Sequence, residues 1–306
     1  MKKILLLTTI LLLQLFDIQA QEADSLMLEF EKSKEPETTI ASFKSSRLIL
    51  SQTTKMVKKQ NLDFKVIHRF GDIGGNDGGS KTLWGFDNSS DIYIGFEYGI
   101  TDKLNIEIGR SKFEQLLGLQ FKYALLQQKV DNKMPVSIGI IAKLGFTPYK
   151  VTTTIFDDYG NRFSYLGQAI ISRKFSSNLS LQVSPTVLHR NQSTISSEDE
   201  ATLFALGTAG RYKFAKRLSF IADYYWISSD FRNDNPNINY HSPLGLGVEI
   251  ETGGHVFTLN FANSKAIAEN NFIANTTSSW RKGEYRFGFT ISRVFDFNKS
   301  NQEPKS

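Results

Sequence analysis

From residue 61 onwards, apolar and polar residues alternate in one segment after another. In the first segment, Leu62, Phe64 and Val66 alternate with Asp63 and Lys65. A period of two residues is typical of a β-strand that has one apolar and one polar face. About twelve such segments follow one another up to residue 297, each close to the roughly 9–11 residues that a tilted membrane strand needs. The pattern predicts an all-β chain that forms a transmembrane antiparallel up-and-down β-barrel of about twelve strands.

The connections between these segments alternate in length. Short turns are expected at residues 100–103, 175–178, 214–217 and 251–254, and long polar loops at residues 71–88, 147–161, 190–200, 229–241 and 264–283. Two connections depart from this alternation, a short one at residues 111–115 and a middling one at residues 128–134. Short turns at one rim and long loops at the other are typical of outer-membrane barrels whose two termini face the periplasm. A soluble β-sandwich is the competing interpretation of the same strands.

The composition narrows the class of protein further. The 306 residues include no cysteine, which excludes disulfides, thiolate metal sites and a cysteine nucleophile. Mean hydropathy is −0.27, which argues against a multi-helix membrane protein, and the hydrophobic share of 40% is sufficient for a folded core. The formal net charge of +5 is mild, and we expect no nucleic-acid partner.

Residues 1–20 have the features of a secretory signal peptide. Lys2 and Lys3 form a basic end, residues 4–16 are largely apolar, and Ala20 is a small residue before the expected cleavage point. The stretch is too short to span a bilayer core of about 30 Å comfortably. A secreted chain without cysteine fits a bacterial envelope, so we expect the outer membrane as its location. The predicted organisation is a signal peptide at 1–20, a periplasmic lead-in at 21–60 that is flexible or forms a short helix, the barrel at 61–297 and a polar tail at 298–306.

The polar faces of the predicted strands carry many charges. An Arg or Lys on the lipid face would cost about 2–4 kcal/mol at the middle of the bilayer, so these polar faces must point into the lumen. For the same reason, an arginine in place of Ile94 should impair assembly more than an arginine in place of Tyr93. The lumen-facing candidates are Lys65, Arg69, Glu97, Glu107, Lys122, Lys143, Arg211, Asp223, Glu249 and Arg286.

Two interpretations of this charged lumen stay open. The signs are nearly balanced, so the side chains could pair and plug a narrow barrel, or they could line a water-filled pore and select solutes. Lys65, Arg69 and Arg286 lie on adjacent predicted strands together with Glu97, which leaves a local excess of positive charge. We therefore expect a wet, mildly basic patch at these three cations, with the lead-in segment as a candidate to fold back over it.

Motifs for catalysis or metal binding are weak. Residues 74–82 (GGNDGGSKT) resemble a phosphate-binding loop, but Ser80 separates the glycine and the lysine that this motif needs adjacent. The four histidines, at positions 68, 189, 241 and 255, have no pairing at metal-ligand spacing. Ser184 and His189 are five residues apart, which puts them on opposite faces of a strand. We expect no catalytic residue, no metal site and no cofactor, and a lipid-modifying enzyme stays only as an outside alternative.

Several short motifs resemble those of one protein family. They are SFKSSR at residues 42–47, HRFG at 68–71, GFEYGITD at 95–102, IGRS at 108–111 and RFGFTISRVF at 286–295. On these residues the chain resembles the Bacteroidota β-barrel family of domain-of-unknown-function number 5777, from about residue 40 to residue 297. The resemblance implies an outer-membrane barrel. It implies no reaction, because the family has no established one.

Together these observations favour an outer-membrane, porin-like barrel that acts as a narrow channel or transporter for small polar solutes. The alternative is a closed barrel that serves as a structural or partner-binding element through its extracellular loops. The expected partners are outer-membrane lipid, a small polar solute and the barrel-assembly machinery. The aromatic end of the last strand, VFDF at residues 294–297, indicates the last of these partners.

Overall fold

The computed structural model describes residues 39–148, 158–193, 195–196, 198–252 and 255–297. The expected signal peptide and polar tail lie outside these ranges. The α-helices within them are α1 (Asp230–Asn233) and α2 (Glu269–Asn275), and no helix of the described residues has the length and apolar character that crossing a bilayer requires. The strands are β1 (Asn61–Asp72), β2 (Ser89–Gly99), β3 (Leu104–Ser111), β4 (Leu117–Leu126), β5 (Ser137–Phe146), β6 (Phe163–Lys174), β7 (Leu179–Arg190), β8 (Thr202–Lys213), β9 (Leu218–Ser228), β10 (Leu244–Thr252), β11 (His255–Ala262) and β12 (Arg286–Asp296).

Each strand pairs with its neighbours along the chain, and β12 pairs with β1, so the sheet closes into a barrel. Lys65 of β1 lies opposite Ser292 of β12 on one side and opposite Gly95 of β2 on the other, in antiparallel register. Closure leaves no unpaired strand edge, which is the form that strands need in a bilayer. The predicted all-β antiparallel barrel of twelve strands is confirmed.

The two faces of each strand differ in exposure as the alternation predicts. On β2, Ile94 and Phe96 are 42% and 48% exposed on the outside, whereas Tyr93 and Glu97 are buried inside. Rings such as Trp226 stand on the outer wall near strand ends. Aromatic rings in these positions are typical of membrane barrels. The outer wall is therefore an apolar surface suited to contact with lipid.

A segment that precedes β1 lies inside the barrel. Residues 39–60, here called the plug segment, begin beside the β4–β5 connection, where Ile40 N–H donates to Gln128 O at 2.7 Å. They end beside β2, where Gln60 N–H donates to Gly99 O at 2.8 Å. Both ends thus lie at one rim, that of the β2–β3 and β4–β5 connections. The expectation of a flexible or helical lead-in is wrong for these residues: they form no helix, and their apolar side chains are buried in the lumen.

The β11–β12 connection folds into the barrel from the opposite rim. Residues 263–279 of this connection, here called the inner loop, include α2, and residues 266–274 are all buried. The sequence predicts a polar loop that faces the exterior, and the structure instead places its centre inside the lumen. The reason is a few large apolar side chains within a mostly polar segment, since Ile267, Phe272 and Ile273 are buried against other parts of the barrel interior.

The plug segment and the inner loop share one hydrophobic core with the barrel wall. Tyr225 of β9 contacts Phe272 of α2 edge to face, with ring centroids 5.1 Å apart. Fully burying one Leu, Ile or Phe side chain contributes about 1.5–3 kcal/mol, so this core is a main source of stability for the plug segment. Its members include Phe43, Leu48, Ile49 and Leu50 from the plug segment, Ile170, Leu188, Leu203, Ile221 and Tyr225 from the wall, and Phe272 and Ile273 from α2.

Tyr93 has a packing role that the sequence does not reveal. A Cβ added at Gly109 would lie 2.0 Å from Tyr93 Oη, and one added at Gly95 would lie 2.7 Å from its ring. The hydroxyl also donates to the Glu107 carboxylate. An arginine at this inward position would therefore disturb close packing, so Tyr93 is not a neutral comparison for Ile94.

Depth in the bilayer should decide how much an outward arginine costs. Ile94 lies at the middle of β2, and Tyr98 lies on the same outer face one residue before the strand ends. Ile94→Arg should destabilise the barrel by about 2–4 kcal/mol and Tyr98→Arg by about 0–1 kcal/mol, because the cost falls towards the interface. Urea titration followed by the heat-modifiable gel mobility of the folded barrel measures both values. Equal midpoints for the two variants would contradict the lipid-facing assignment.

Candidate functional site

Three charged side chains from different elements meet inside the lumen. Arg47 of the plug segment and Glu269 of α2 form an ion pair of 2.7 Å, and Lys143 of β5 lies 2.8 Å from the other oxygen of the same carboxylate. Arg47 also donates to the carbonyl oxygens of Leu50 at 2.9 Å and Ile267 at 2.6 Å. Charges taken out of water cost several kcal/mol each, so they are stable only with partners this close. This charged triad joins the plug segment, the inner loop and the barrel wall at one point.

The tip of the plug segment is held by a carboxylate of β9. The segment turns back on itself between residues 46 and 53, and Leu48 N–H donates to Ser51 O at 2.9 Å. The Asp223 carboxylate accepts from Ile49 N–H and Ser51 N–H, each at 3.0 Å. Hydrogen bonds to an ionised carboxylate are about twice as strong as neutral ones. Asp223 therefore fixes the turn to the wall through main-chain groups that would otherwise be unsatisfied in a dry interior.

The inner loop is fixed to β1 and β2 in the same way. Arg69 donates to the carbonyl oxygens of Ser264 at 3.1 Å and Ala266 at 2.6 Å. Asp91 accepts from Ile267 N–H at 2.8 Å. Main-chain groups of the loop thus bond to two buried charged side chains of the wall, Arg69 and Asp91.

The structure separates Lys65 from Arg69 and Arg286, although the sequence places all three cations in one wet basic patch. Arg286 pairs with Asp72 and donates to the carbonyl oxygen of Asn263 at 2.6 Å. Arg69 bonds to the inner loop, and Lys65 belongs to a different group of charges. The expectation of a shared patch is therefore wrong. Its physical reason is that main-chain carbonyl oxygens of the inner loop take the place that water was expected to fill.

A second group of charges lies on β1 to β4. Lys65 pairs with Glu97 and lies 3.0 Å from Glu107, while Lys122 lies 2.8 Å from Glu97. Asp63 is 3.7 Å from Lys65. Two cations and three carboxylates thus balance to within one charge, and the side chains cross-link four neighbouring strands from the inside.

A third group lies on β8 and β10. Arg211 Nε donates to Glu249 at 2.6 Å, and the same guanidinium pairs with Glu251. Lys44 of the plug segment lies 3.5 Å from Glu251, and its side chain is 54% exposed. Because Lys44 is open to solvent, this contact contributes little compared with the buried pair of Arg47.

All ten charged residues assigned to the lumen from the sequence are buried on the inner face of the barrel. The structure does not gather them into one site. Lys65, Glu97, Glu107 and Lys122 form the group on β1 to β4, and Arg211 and Glu249 belong to the group on β8 and β10. Lys143 belongs to the triad, and Asp223 binds the plug tip. Arg69 of β1 and Arg286 of β12 contact the inner loop.

Sequence reasoning missed Arg47, Glu269 and Asp91. Asp91 could have been found, because it lies six residues before Glu97 on β2 and an even spacing puts both side chains on the inward face of the strand. Arg47 lies within the SFKSSR motif, but nothing in that motif indicates a lumen position. Glu269 lies in a segment without strand periodicity, so the alternation pattern could not assign it to a face.

The arrangement is suited to closing a lumen. Its charged groups bind to one another and to main-chain atoms of the two inward segments, which leaves the buried charges compensated. Among the described residues, no group of three or more His, Asp and Glu side chains is placed to hold a metal ion.

A further cluster lies at the rim where the inner loop enters. The Asp199 carboxylate accepts from Arg190 at 2.9 Å, from Arg232 at 2.7 Å and from Ser193 at 2.6 Å. Arg232 also donates to the carbonyl oxygen of Ala274 in α2 at 2.9 Å. Burial raises the pKa of Asp199, but the hydrogen bonds from Arg232 and Ser193 and the charge of Arg190 outweigh it, so the pKa lies below its ordinary value. The cluster connects the β7–β8 and β9–β10 connections to the end of α2.

A closed barrel with an apolar outer wall and a charged, filled interior defines a membrane-bound β-barrel. The chain belongs to the family described as membrane bound beta barrel domain, DUF5777, whose model matches residues 43–295. The matched region includes most of the plug segment as well as the strands. No curated protein matches the chain.

Several solved porins and channels share a general likeness with the barrel. The NanC porin is 10% identical with a TM-score of 0.47, covering 76% of this chain and 98% of that chain. The KdgM porin is 7% identical with a TM-score of 0.43, covering 78% and 99%. An outer membrane channel from Pseudomonas putida F1 is 13% identical with a TM-score of 0.46, covering 79% and 97%. Family membership rests on the family model alone.

Arg47→Ala should loosen the plug segment without unfolding the barrel. Removing one partner of a buried ion pair costs about 3–5 kcal/mol, and we expect the lower end because Lys143 stays bound to Glu269. A loss of about 3 kcal/mol corresponds to roughly hundredfold faster amide hydrogen exchange at residues 46–53. Lys44→Ala is the matched control, because that cation is exposed and should cost about 0–1 kcal/mol. Equal exchange in the two variants would contradict the role of the triad.

Acid should release the loop cluster at Asp199. Because its folded-state pKa is depressed, its stabilising contribution is complete above the ordinary aspartate pKa of about 4 and is lost as the pH falls through the folded value. The protection factors of the amide hydrogens in the β7–β8 connection, which are corrected for the intrinsic pH dependence of exchange, should stay constant from about pH 7 to about pH 5 and fall below about pH 4. Asp199→Asn should give low protection factors at every pH. If Asp199→Asn still lost protection as the pH falls, another carboxylate would be responsible for the acid sensitivity of this connection.

Proposed function

We propose that the chain is an outer-membrane channel for small polar solutes that is held closed by its own plug segment. The observation that carries the proposal is the course of residues 39–60, which enter and leave the lumen at the same rim. A segment arranged in this way can leave the barrel without breaking any strand pairing. The proposal includes no reaction.

Barrel width supports this function. Eight strands enclose a space that their own side chains can fill, whereas sixteen to eighteen strands leave an aqueous channel. A barrel of twelve strands lies between these cases, and here a plug segment and an inner loop occupy the interior. Withdrawal of the plug segment would leave a passage beside the inner loop, with charged wall side chains such as Asp223 and Lys143 among apolar ones such as Ile221. The charged side chains suit hydrated solutes.

The orientation follows from the same rim. The plug segment and the connections at residues 100–103 and 175–178 share the rim of short turns, which faces the periplasm in outer-membrane barrels. The inner loop and the β1–β2 connection then face the exterior. Both ends of the barrel domain are periplasmic in this arrangement, and a periplasmic process can reach the plug segment.

The sealed interior also favours a second function, a permanently closed barrel that binds partners through its extracellular loops. In that case the plug segment would be a structural filler that never leaves. Conductance with and without the plug segment separates the two functions.

Single-channel recording in planar bilayers tests the proposal. The full chain should stay closed, and deletion of residues 42–57 should give a stable open channel. Ile49→Asp should open the channel for part of the time, because it adds a carboxylate beside Asp223 and repels the plug tip. Lys44→Ala should stay closed like the full chain, since its side chain is exposed and only weakly held.

Correct folding of each variant is checked first by its heat-modifiable gel mobility. A deletion variant that folds but does not conduct would contradict the channel and support the closed, partner-binding barrel. A full chain that conducts as well as the deletion variant would contradict the closing role of the plug segment.

A further inference from the structure

The outer wall carries an apolar groove across β6 to β9. Its floor is formed by Gly210 and Ala222, which lie opposite each other on β8 and β9 and are the smallest outward residues of this region. Leu181 and Tyr224 form its sides. Its volume is about 730 Å³, within the range of roughly 300–1,000 Å³ that is usual for ligand sites. The groove is therefore large enough to hold part of an extended hydrocarbon chain against the wall.

One end of the groove carries a cation. Arg173 points outward from β6, one residue before that strand ends at the short-turn rim. Its guanidinium lies over the Phe175 ring at 5.3 Å, and its buried Nε has no hydrogen-bond partner among the described residues. An arginine on the lipid face is tolerated near the interface, where phosphate groups are available. The planar guanidinium matches a phosphate with two parallel hydrogen bonds.

A second groove on the outer wall differs from the first in the cation beside it. It has a volume of about 400 Å³ and is lined by residues such as Phe121, Tyr165 and Gly167. The cation beside it, Lys143, turns its ammonium group to Glu269 in the lumen at 2.8 Å. This second groove offers an apolar surface without an outward cation among the described residues.

We propose that the first groove binds one acyl chain of an anionic phospholipid in the periplasmic leaflet, with the headgroup phosphate on Arg173. The assignment to that leaflet rests on the orientation proposed above, and the site itself does not depend on whether the barrel conducts. Hydrocarbon in the groove covers the gap left by Gly210 and Ala222, and the phosphate accepts hydrogen bonds from the terminal Nη groups of the Arg173 guanidinium.

Native mass spectrometry of the full chain tests the proposal. The protein is reconstituted in nanodiscs with equal amounts of phosphatidylglycerol and phosphatidylethanolamine, one of them deuterated, and lipids that survive release are counted. The full chain should retain one lipid, with phosphatidylglycerol favoured roughly tenfold. Gly210→Leu should fill the groove, since a Cβ there already lies 3.1 Å from Leu181, and should reduce retention roughly tenfold.

Gly167→Leu is the matched control, because it fills the second groove and should leave retention unchanged. Arg173→Gln should abolish the preference for phosphatidylglycerol while some lipid of both kinds is still retained. Equal losses in Gly210→Leu and Gly167→Leu would overturn the site in favour of general lipid contact. Phosphatidylethanolamine carries the same phosphate but an ammonium group offsets its charge, so the preference reports the net charge of the headgroup beside Arg173. An unchanged preference in Arg173→Gln would overturn Arg173 as the headgroup site, and retention of added lipid A in place of phosphatidylglycerol would overturn the periplasmic leaflet.

Discussion

The buried carboxylate of Glu269 forms the ion pairs on which the filling of the lumen depends. It holds Arg47 of the plug segment at 2.7 Å and Lys143 of β5 at 2.8 Å, so one group connects the plug segment, the inner loop and the wall. A charge buried without partners is unstable in a dry interior, and each member of the triad therefore requires the other elements to be in place. Loss of the plug segment would leave Glu269 with one cation instead of two.

The need of buried polar groups for partners also explains the rest of the barrel interior. A barrel of this width has more interior space than its own side chains fill, and the space must contain either water or another segment of chain. Here two segments fill it, and their main-chain groups are satisfied by wall charges, as in the contacts of Asp223 with the plug tip and of Asp91 with the inner loop. Polar contacts of this kind can be exchanged for water when a segment leaves, which a purely apolar seal could not do as readily. This property supports a channel that opens by withdrawal of the plug segment.

Strand structure was predictable from the sequence because it depends on a local period of two. Because one face of each strand must contact lipid, every second residue of the strand points outward and the residues between them point inward. On β2, Ile94 points outward and Glu97 points inward. The filling of the lumen was not predictable in this way. Residues 39–60 and 263–279 have no strand periodicity, and their polar composition resembles that of exposed loops. Their burial depends on contacts with residues far away in the chain.

The predicted charge balance of the lumen was wrong for a related reason. Counting ionised side chains alone predicted an excess of positive charge at Lys65, Arg69 and Arg286. Arg69 instead donates to carbonyl oxygens of the inner loop, and Arg286 donates to such an oxygen and pairs with Asp72. Main-chain acceptors carry no formal charge and do not show in a sequence count. Only the tertiary structure reveals which of them reach a buried cation.

Disulfide trapping tests most directly that the plug segment occupies the lumen. The natural chain has no cysteine, and a Cβ added at Gly245 of β10 would lie 3.1 Å from the Cβ of Ile49, close to the roughly 3.5–4.5 Å that a disulfide spans. The double variant Ile49→Cys with Gly245→Cys should form an intramolecular disulfide in native membranes, detected as protection of both thiols from maleimide until a reductant is added. Lys44→Cys with Gly245→Cys should leave both thiols free. Free thiols in the first pair, in protein that is folded by its gel mobility, would contradict a lumen filled by residues 39–60.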